Sequence, residues 1–272
     1  MIGFANRYLD ALEKHDPSGL PLAARYKFTE NGQHIKLGQG LWYQAGEIKY
    51  RQYMADPDRD SVEFWGALEE SDLPTLLFLR LKVVDHKLTE IETIVNRLIQ
   101  TNDELAARVQ NLKASQDYID SVLPIQHRSR KAKLIQVANA YFDALMTHPP
   151  NPIPFAPDCA RTENGMVTSG KEPGCADQFF KSRVLDYIGA TRDRRFYITD
   201  VERGQVQAMF MMDCPGNLKT VEYDGKVTEL QSGGRRPREV LLSEMFKVVN
   251  GQIERIQAFH VNNLPFGYPS GW

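Results

Sequence analysis

The chain has 272 residues, of which 42% are hydrophobic and 25% are charged, and its formal net charge is −2. This length is enough for two domains of ordinary size. The near balance of charge argues against a protein that binds nucleic acid electrostatically, and no apolar run approaches the roughly 18 residues of a membrane span. We therefore expect a globular protein that binds no nucleic acid and enters no membrane.

The cysteines and the absent motifs bound the chemistry. Cys159, Cys175 and Cys214 form no CxxC pair, and the first residues lack the layout of a signal peptide, which predicts reduced cysteines in the cytoplasm. Zinc-ligand spacings are absent, so no metal is predicted. The chain also lacks a phosphate loop, a dinucleotide fingerprint and a GxSxG elbow. Chemistry without a cofactor, done by side chains alone, follows as the expectation.

Sequence repetition organises the chain. Three segment pairs share an offset of 133 residues: 5–12 with 138–145, 28–32 with 161–165, and 59–60 with 192–193. Repeats in one register predict two copies of one fold. We expect a first copy over residues 1–97, a helical linker over 98–125 and a second copy over 126–272.

The first copy combines helices with a meander of strands. Its apolar spacing predicts, in chain order, a helix over 3–14, a strand over 25–30, a helix over 44–54, and strands over 61–68, 75–84 and 88–96. This is an α+β pattern. A curved antiparallel sheet wrapped around its helices forms a cone, and the open end of a cone is a common ligand site.

Several runs carry a resemblance to a known superfamily. Tyr8-Leu9-Asp10-Ala11-Leu12, Phe28-Thr29-Glu30-Asn31-Gly32 and the segment 81–91 resemble the nuclear transport factor 2-like superfamily, in particular its SnoaL-like, polyketide cyclase-related members. The resemblance implies two tandem cone-shaped α+β barrels. It leaves the function open, because this fold hosts isomerases, dehydratases, cyclases, lyases and binding modules. It also implies a homo-oligomer, either a dimer or a trimer.

The second copy repeats the first with an addition. We expect a helix over 135–146, a strand over 158–163, a helix over 177–188, and strands over 196–201, 205–213 and 253–261. About thirty extra residues, 214–240, include an Asp224-Gly225 hairpin signal and a mobile end at 233–237. This insertion is predicted to be a lid or a subunit arm. The aromatic tail, 262–272, is expected to dock on apolar surface.

Differences between the copies indicate where function lies. Arg161 occupies the place of Phe28, and His260 occupies the place of Val95, whereas Glu30 and Glu163 are kept in both copies. An arginine or histidine in place of a core residue must be solvated or paired. We therefore predict that the first cone is filled with apolar side chains and that the second is polar and open.

These differences give a set of candidate site residues. The predicted catalytic residues are His260, Arg161, Glu163 and Tyr197. The predicted substrate-binding residues are Tyr141, Asp158, Arg183, Tyr187, Met211, Phe266 and Tyr268. Structural roles remain open alternatives: an Arg–Glu pair, a core histidine, packing tyrosines, capping aspartates and core-filling methionines.

The predicted function is acid–base chemistry on a small aromatic molecule. His260 or a tyrosine would move a proton, Arg161 would hold an oxyanion, and Glu163 would orient it. The superfamily resemblance suggests a lyase or dehydratase that converts a lignin-derived diarylpropane diol to a stilbene with release of formaldehyde. A polyketide-type cyclase or isomerase, and a non-catalytic binding or assembly module, are the alternatives.

Overall fold

The computed structural model describes residues 1–97, 99–148, 150–170, 174–223, 225–230 and 236–272, apart from the side chain of Tyr223. The chain divides into two compact units. The first comprises Met1–Gln116 with Phe259–Val261 and Pro269–Trp272, and the second comprises Asp117–Ala258 with Asn262–Tyr268.

The first unit is built on one mixed sheet and one amphipathic helix. Its elements are α1 (Ile2–Glu13), β1 (Leu22–Glu30), β2 (Gln33–His34), β3 (Ala45–Asp56), β4 (Ser61–Glu70), β5 (Leu73–Val84) and β6 (Lys87–Asn96), followed by α2 (Asn102–Asp120). The strand order is β2-β1-β6-β5-β4-β3, and β1 runs parallel to β6. The buried side of α1 packs against β3, β4 and β5 and forms the core of this unit.

The second unit has the same strand order. Its elements are α3 (Lys131–Leu145), β7 (Phe155–Glu163), β8 (Met166–Ser169), α4 (Cys175–Phe180), β9 (Ala190–Asp200), β10 (Gln205–Cys214), β11 (Thr220–Tyr223), β12 (Lys226–Glu229), β13 (Arg238–Val249) and β14 (Gln252–Leu264). The main sheet runs β8-β7-β14-β13-β10-β9, with β7 parallel to β14. The predicted α+β class is therefore confirmed, and both sheets are mixed rather than wholly antiparallel.

Corresponding strands define how positions in the two units match. The offset is 133 for β1 and β7, which begin at residues 22 and 155, and 144 for β4 and β10, which begin at 61 and 205. It is 165 for β5 and β13, which begin at 73 and 238. The second unit thus gains 11 residues (144 against 133) before β10 and 21 (165 against 144) between β10 and β13. The sequence predicts about thirty extra residues between these strands, and the structure has 21.

One predicted pair of equivalent residues is wrong. Residues 59–60 follow β3 in a turn, whereas 192–193 lie within β9. The true counterpart of Arg59 is Arg203 at the offset of 144. Arg59 pairs with Asp56 and Arg203 pairs with Asp200, in both cases a partner three residues earlier, at 3.7 and 3.0 Å.

Two predicted helices are also wrong. Residues 44–54 form β3, in which Ile48, Tyr50 and Met54 are buried and their charged neighbours are not. This alternation has the period of a strand, and the helix-favouring residues between the buried ones masked it. Residues 177–188 are helical only as far as Phe180, and the chain then turns through Arg183, whose φ is +53°.

Cysteine pairing departs from the expectation as well. Cys159 on β7 and Cys175 at the start of α4 form a disulfide, while Cys214 is a buried free thiol. The prediction of reduced cysteines is wrong for this pair. Disulfides persist in oxidising environments, so the predicted cytoplasmic location loses the support that it drew from the cysteines.

The insertion contains an antiparallel hairpin of β11 and β12. Asp224 of the predicted turn and residues 231–235, which include most of the predicted mobile end, lie outside the described residues. Within the described part of the chain, no helix combines the length and apolar character of a membrane span.

The disulfide gives a first testable prediction. Replacing Cys159 and Cys175 together by serine should lower the free energy of unfolding by about 3 kcal/mol, because closing a loop of about 15 residues restricts the unfolded chain by that amount. Urea denaturation of the oxidised protein and the double variant measures the difference. Thiol titration of the denatured, unreduced protein should find one reactive thiol, and three thiols would contradict the pairing.

Candidate functional site

A buried arginine is the centre of the candidate site. Arg161 lies on β7 between Cys159 and Glu163, and alternate residues of a strand share a face. Cys159 belongs to the core of the second unit, so Arg161 points to the side of the sheet that packs against α3. The residue is only 5% exposed. A guanidinium in such a place needs charged or hydrogen-bonding partners.

Two carboxylates share that guanidinium. The Nη1 atom of Arg161 donates to Glu163, while its Nε and Nη2 atoms donate to Oε1 of Glu244 at 3.2 and 3.0 Å. Glu244 lies on β13 between the core residues Leu242 and Phe246, and it is fully buried. Ala258 is the register partner of Glu163 on β14, the strand between β7 and β13.

A tyrosine from α3 completes the cluster. The hydroxyl of Tyr141 donates to Oε1 of Glu244 at 3.3 Å. Its ring makes edge contacts with Phe246 and Phe179, with centroids 5.1 and 5.3 Å apart. Tyr141, Arg161, Glu163 and Glu244 are called the Arg161 cluster below.

Sequence reasoning missed Glu244, the most deeply buried acid of this cluster. The signal was present, because Glu244 stands among apolar residues of a strand and corresponds to Leu79 at the offset of 165. Like Arg161 and His260, Glu244 is an ionisable residue at a place that holds an apolar residue in the first copy.

Burial and charge set the protonation of the cluster. Burial raises the pKa of Glu244, and the attraction of Arg161 opposes this rise without cancelling it. Burial likewise raises the pKa of Tyr141 well above its ordinary value. Burial acts to lower the pKa of Arg161, but Glu163, Tyr141 and Glu244 outweigh it and hold the guanidinium charged. One cation faces two carboxyl groups, which favours a proton on the more buried one, Glu244.

One oxygen of this acid remains unsatisfied. Oε2 of Glu244 is buried and has no hydrogen-bond partner within the part of the chain that the structure describes. Buried polar atoms are nearly always paired, so an unpaired one requires an explanation, such as a catalytic role or a bound water or ion. The oxygen can donate a proton in the acid form or accept one in the ionised form.

The equivalent place in the first unit is filled by apolar side chains. Phe28 stands at the place of Arg161, and Leu79 at that of Glu244, and both are core residues there. The indole of Trp42 donates to the hydroxyl of Tyr8, which corresponds to Tyr141, at 3.0 Å. The first unit therefore has a packed hydrocarbon core where the second has an ionic cluster.

The shared glutamate differs in exposure between the units. Glu30 accepts from the backbone N–H of Leu41 and from Arg97, and its side chain is 10% exposed. The side chain of Glu163 is 30% exposed. Glu163 thus gives the Arg161 cluster an edge that faces solvent.

Tyr187 lies within electrostatic reach of the cluster. It packs against the same core, and the guanidinium carbon of Arg238 lies 5.3 Å from its ring centroid. Burial raises the pKa of Tyr187 to about 12, and Glu163 adds to the rise while Arg161 opposes it. Tyr187 is half-buried on the segment between α4 and β9, not on a helix with Arg183 as predicted.

Tyr197 lies on β9, and His260 lies on β14, where it shares a face with Ala258. The hydroxyl of Tyr197, on β9, accepts from Arg195 at 2.8 Å. His260 is half-buried on β14, in the group of residues that clusters with the first unit. Catalytic roles for these two residues stay predictions.

Most of the other predicted substrate contacts point away from the cluster. Asp158 and Phe266 are exposed, and Arg183 pairs with Asp186 at 2.5 Å. Met211 is buried, but it alternates with Phe210 and Met212, which are the residues of that stretch near the core, and so lies on the opposite face of β10.

The aromatic tail makes several polar contacts. The carbonyl of Tyr268 accepts from Arg192 at 2.7 Å, and the N–H of Gly267 donates to Glu239. The indole of Trp272 donates to Thr29 at 3.0 Å and stacks on Lys27.

Two cavities of the described chain lie away from the cluster. One of about 570 Å³ in the second unit is lined by Phe155, Ala156, Pro157, Gly174, Cys175, Ala176, Asp177, Lys181 and Gln252. Another, of about 630 Å³ in the first unit, is lined by Lys49 and residues of α2. The chemistry of the buried acid, rather than cavity size, therefore selects the site. No set of three or more metal-ligating side chains occurs among the described residues.

Comparison with known proteins places the sequence in a family without an assigned function. The family model described as Domain of unknown function (DUF8021) matches residues 1–95 and 127–260. None of the curated proteins matches the chain.

Solved structures give distant likenesses. A candidate polyketide cyclase from Xanthomonas campestris pv. campestris is 18% identical, with 48% of this chain and 92% of that chain covered and a TM-score of 0.34. A steroid delta-isomerase from Pseudomonas aeruginosa is 16% identical, with 42% and 93% covered and a TM-score of 0.30. A phenazine biosynthesis-related protein from the same organism is 14% identical, with 59% and 81% covered and a TM-score of 0.26. Likenesses at this level carry no argument about function.

The ion pairs of the cluster predict a non-additive pattern of stability. Arg161→Met should cost about 3–5 kcal/mol of unfolding free energy, because it leaves Glu244 buried without its cation. Adding Glu244→Leu, the residue found in the first unit, should restore the stability to within about 1 kcal/mol of the original protein. Urea denaturation of the single and double variants tests this, and an additive loss would contradict it.

The raised pKa of Glu244 predicts a dependence of stability on pH. Because the folded protein binds this proton more tightly than the unfolded chain, stability falls as the pH rises from the ordinary carboxyl value of 4.5 through the raised value. In Glu244→Gln the unfolding free energy should fall less over that range. Urea midpoints from pH 4 to 8 measure both proteins, and parallel curves would show that Glu244 is not the group responsible.

Proposed function

The chain belongs to the family Domain of unknown function (DUF8021), and we propose that its second unit is a cofactor-independent enzyme. The proposed reaction moves protons on a small hydroxylated aromatic molecule. The observation that carries the proposal is the buried acid Glu244, which shares one guanidinium with Glu163 and has an oxygen without a partner among the described residues.

Burial makes Glu244 suitable as a general acid. A carboxyl group with a raised pKa retains its proton closer to neutral pH and can donate it to a leaving hydroxyl. Once the proton has left, the carboxylate lies 3.0 Å from Nη2 of Arg161, which stabilises the new charge without moving. Tyr141 donates to the same oxygen, Oε1, at 3.3 Å and helps to fix the orientation of the carboxyl group.

Glu163 is suited to the complementary role. Arg161 pairs with it while 30% of its side chain reaches solvent, so it can accept a proton from the substrate and release it to water. Two carboxyl groups in different surroundings, one buried and one partly solvated, are a common arrangement for acid and base. His260 and Tyr197 are retained in the proposal as further proton carriers.

The specific reaction proposed is the conversion of a diarylpropane diol to a stilbene. Glu163 takes the phenolic proton, Glu244 gives a proton to the departing benzylic hydroxyl, and water leaves to form a quinone methide. Loss of the proton of the primary hydroxyl then breaks a carbon–carbon bond. Formaldehyde departs, and the electron pair returns to the ring to form a phenolate, which takes up a proton. Neither an oxidant nor a reductant is consumed.

A cyclase or an isomerase is the second candidate. The same acid and base would serve an enolisation, in which one carboxyl group removes a proton next to a carbonyl and the other protonates its oxygen. A non-catalytic module that binds a hydroxylated ligand at Oε2 of Glu244 is the third.

Activity assays distinguish these candidates. Incubation with phenolic diarylpropane diols should release formaldehyde, and Glu244→Gln should lower kcat by about 100-fold or more, since a general acid contributes 10²–10⁴. Glu222→Gln, a change at an exposed residue of β11, is the matched control and should leave the rate unchanged. If no diol yields formaldehyde, the lyase reaction is ruled out. If diols or enolisable ketones bind but are not turned over, the non-catalytic binding module is the remaining candidate.

A further inference from the structure

Beyond the Arg161 cluster, β14 continues along the same face of the sheet. Ile256 belongs to the core on this face, and Ala258 is the register partner of Glu163. Asn262 follows four residues after Ala258 and, by the alternation of a strand, shares that face. At roughly 3.3 Å per residue, Asn262 lies about 13 Å along the strand from the position of Glu163. Both residues belong to the second compact unit.

Asn262 carries a second unsatisfied polar atom. Its Oδ1 atom is buried and has no hydrogen-bond partner among the residues that the structure describes. A buried amide oxygen left unpaired is unfavourable, so a partner from outside the chain fits this position. Glu244 and Asn262 therefore place two orphaned oxygens on one face of one sheet.

In the first unit, the ion pairs of one arginine link the strands at this end of the sheet. Arg97, which corresponds to Asn262 at the offset of 165, donates to Glu30 at 3.0 Å and to Glu70 at 2.8 Å. It thereby ties the end of β4 to the end of β1. Glu30 also accepts from the backbone N–H of Leu41, which neighbours Trp42 of the core.

The second unit has lost the partners of that clamp. Cys214 stands at the place of Glu70, at the offset of 144, and Asn262 stands at the place of Arg97. Only the glutamate is retained, as Glu163. An Arg–Glu clamp has thus been exchanged for a thiol and an amide, which cannot form an ion pair with Glu163.

Resting on the proposed function, we propose that Asn262 is a specificity-determining residue that binds a hydroxyl group at the far end of the substrate. The substrate class is an elongated two-ring phenol with its reacting end at the Arg161 cluster and a second hydroxyl at Asn262. A phenolic hydroxyl donates to Oδ1 and accepts from the amide nitrogen, so one group satisfies both functions of the asparagine.

Binding of two stilbenols tests this assignment without requiring turnover. The probes are 4,4′-dihydroxystilbene and 4-hydroxystilbene, which differ only in the distal hydroxyl, and their Kd values are measured by fluorescence titration. Asn262→Ala should raise the Kd of the dihydroxy compound by about tenfold, which is the scale of one hydrogen bond. The Kd of the monohydroxy compound should change by no more than about twofold. Asn263→Gly is the control, because Asn263 is exposed and its φ of +62° suits glycine.

The outcomes separate this inference from the proposed function. Weaker binding of the dihydroxy compound alone supports the proposed contact of Asn262, even when no substrate is turned over. Equal effects on both compounds, or no effect, overturn the assignment even when formaldehyde is released. Failure of the original protein to bind either compound overturns it too, because the site then does not accept a two-ring phenol. Circular dichroism of Asn262→Ala checks that the variant is folded.

Discussion

The sharing of one guanidinium by two carboxyl groups is the interaction on which the second unit depends. Arg161 is buried, and so is Glu244, while Glu163 reaches solvent at the edge. Loss of the arginine would leave Glu244 buried without its cation, which is strongly unfavourable. Because a single positive charge cannot fully compensate two negative ones in a medium of low polarity, the arrangement favours a retained proton. The raised pKa of Glu244 distinguishes the cluster from an ordinary structural salt bridge.

The two units share one strand order but differ in what fills the space between sheet and helix. In the first unit Phe28, Leu79 and Trp42 fill the space between sheet and helix with hydrocarbon. In the second unit arginine and glutamate occupy the places of the first two. The tyrosine of the N-terminal helix is kept in both units and changes its partner, from an indole nitrogen to a carboxyl oxygen. A packed core needs only complementary shapes, whereas the ionic cluster also needs charges that balance, and this makes it less tolerant of single substitutions.

The sequence predicted the parts of the fold that have a strong period or a distinctive turn. The helices α1 and α3 and the long strands could be predicted in this way, and so could the exchange of Phe28 for Arg161. The strand β3 could not, because helix-favouring residues alternate with its buried ones, and only pairing with β4 decides between the two states. Glu244 and the disulfide depend on contacts between segments that are distant in sequence. A register error placed Arg59 opposite Arg192, since a constant offset cannot follow insertions.

The disulfide has a consequence for the cluster itself. Cys159 lies two residues before Arg161 on the same face of β7, and Cys175 begins the short helix whose Phe179 contacts the ring of Tyr141. The covalent bond therefore joins the strand that carries the cation to the helix that supports the phenol. Both sides of the polar centre are held in register before any ligand arrives, so an incoming molecule meets a preorganised surface and loses little affinity to ordering it.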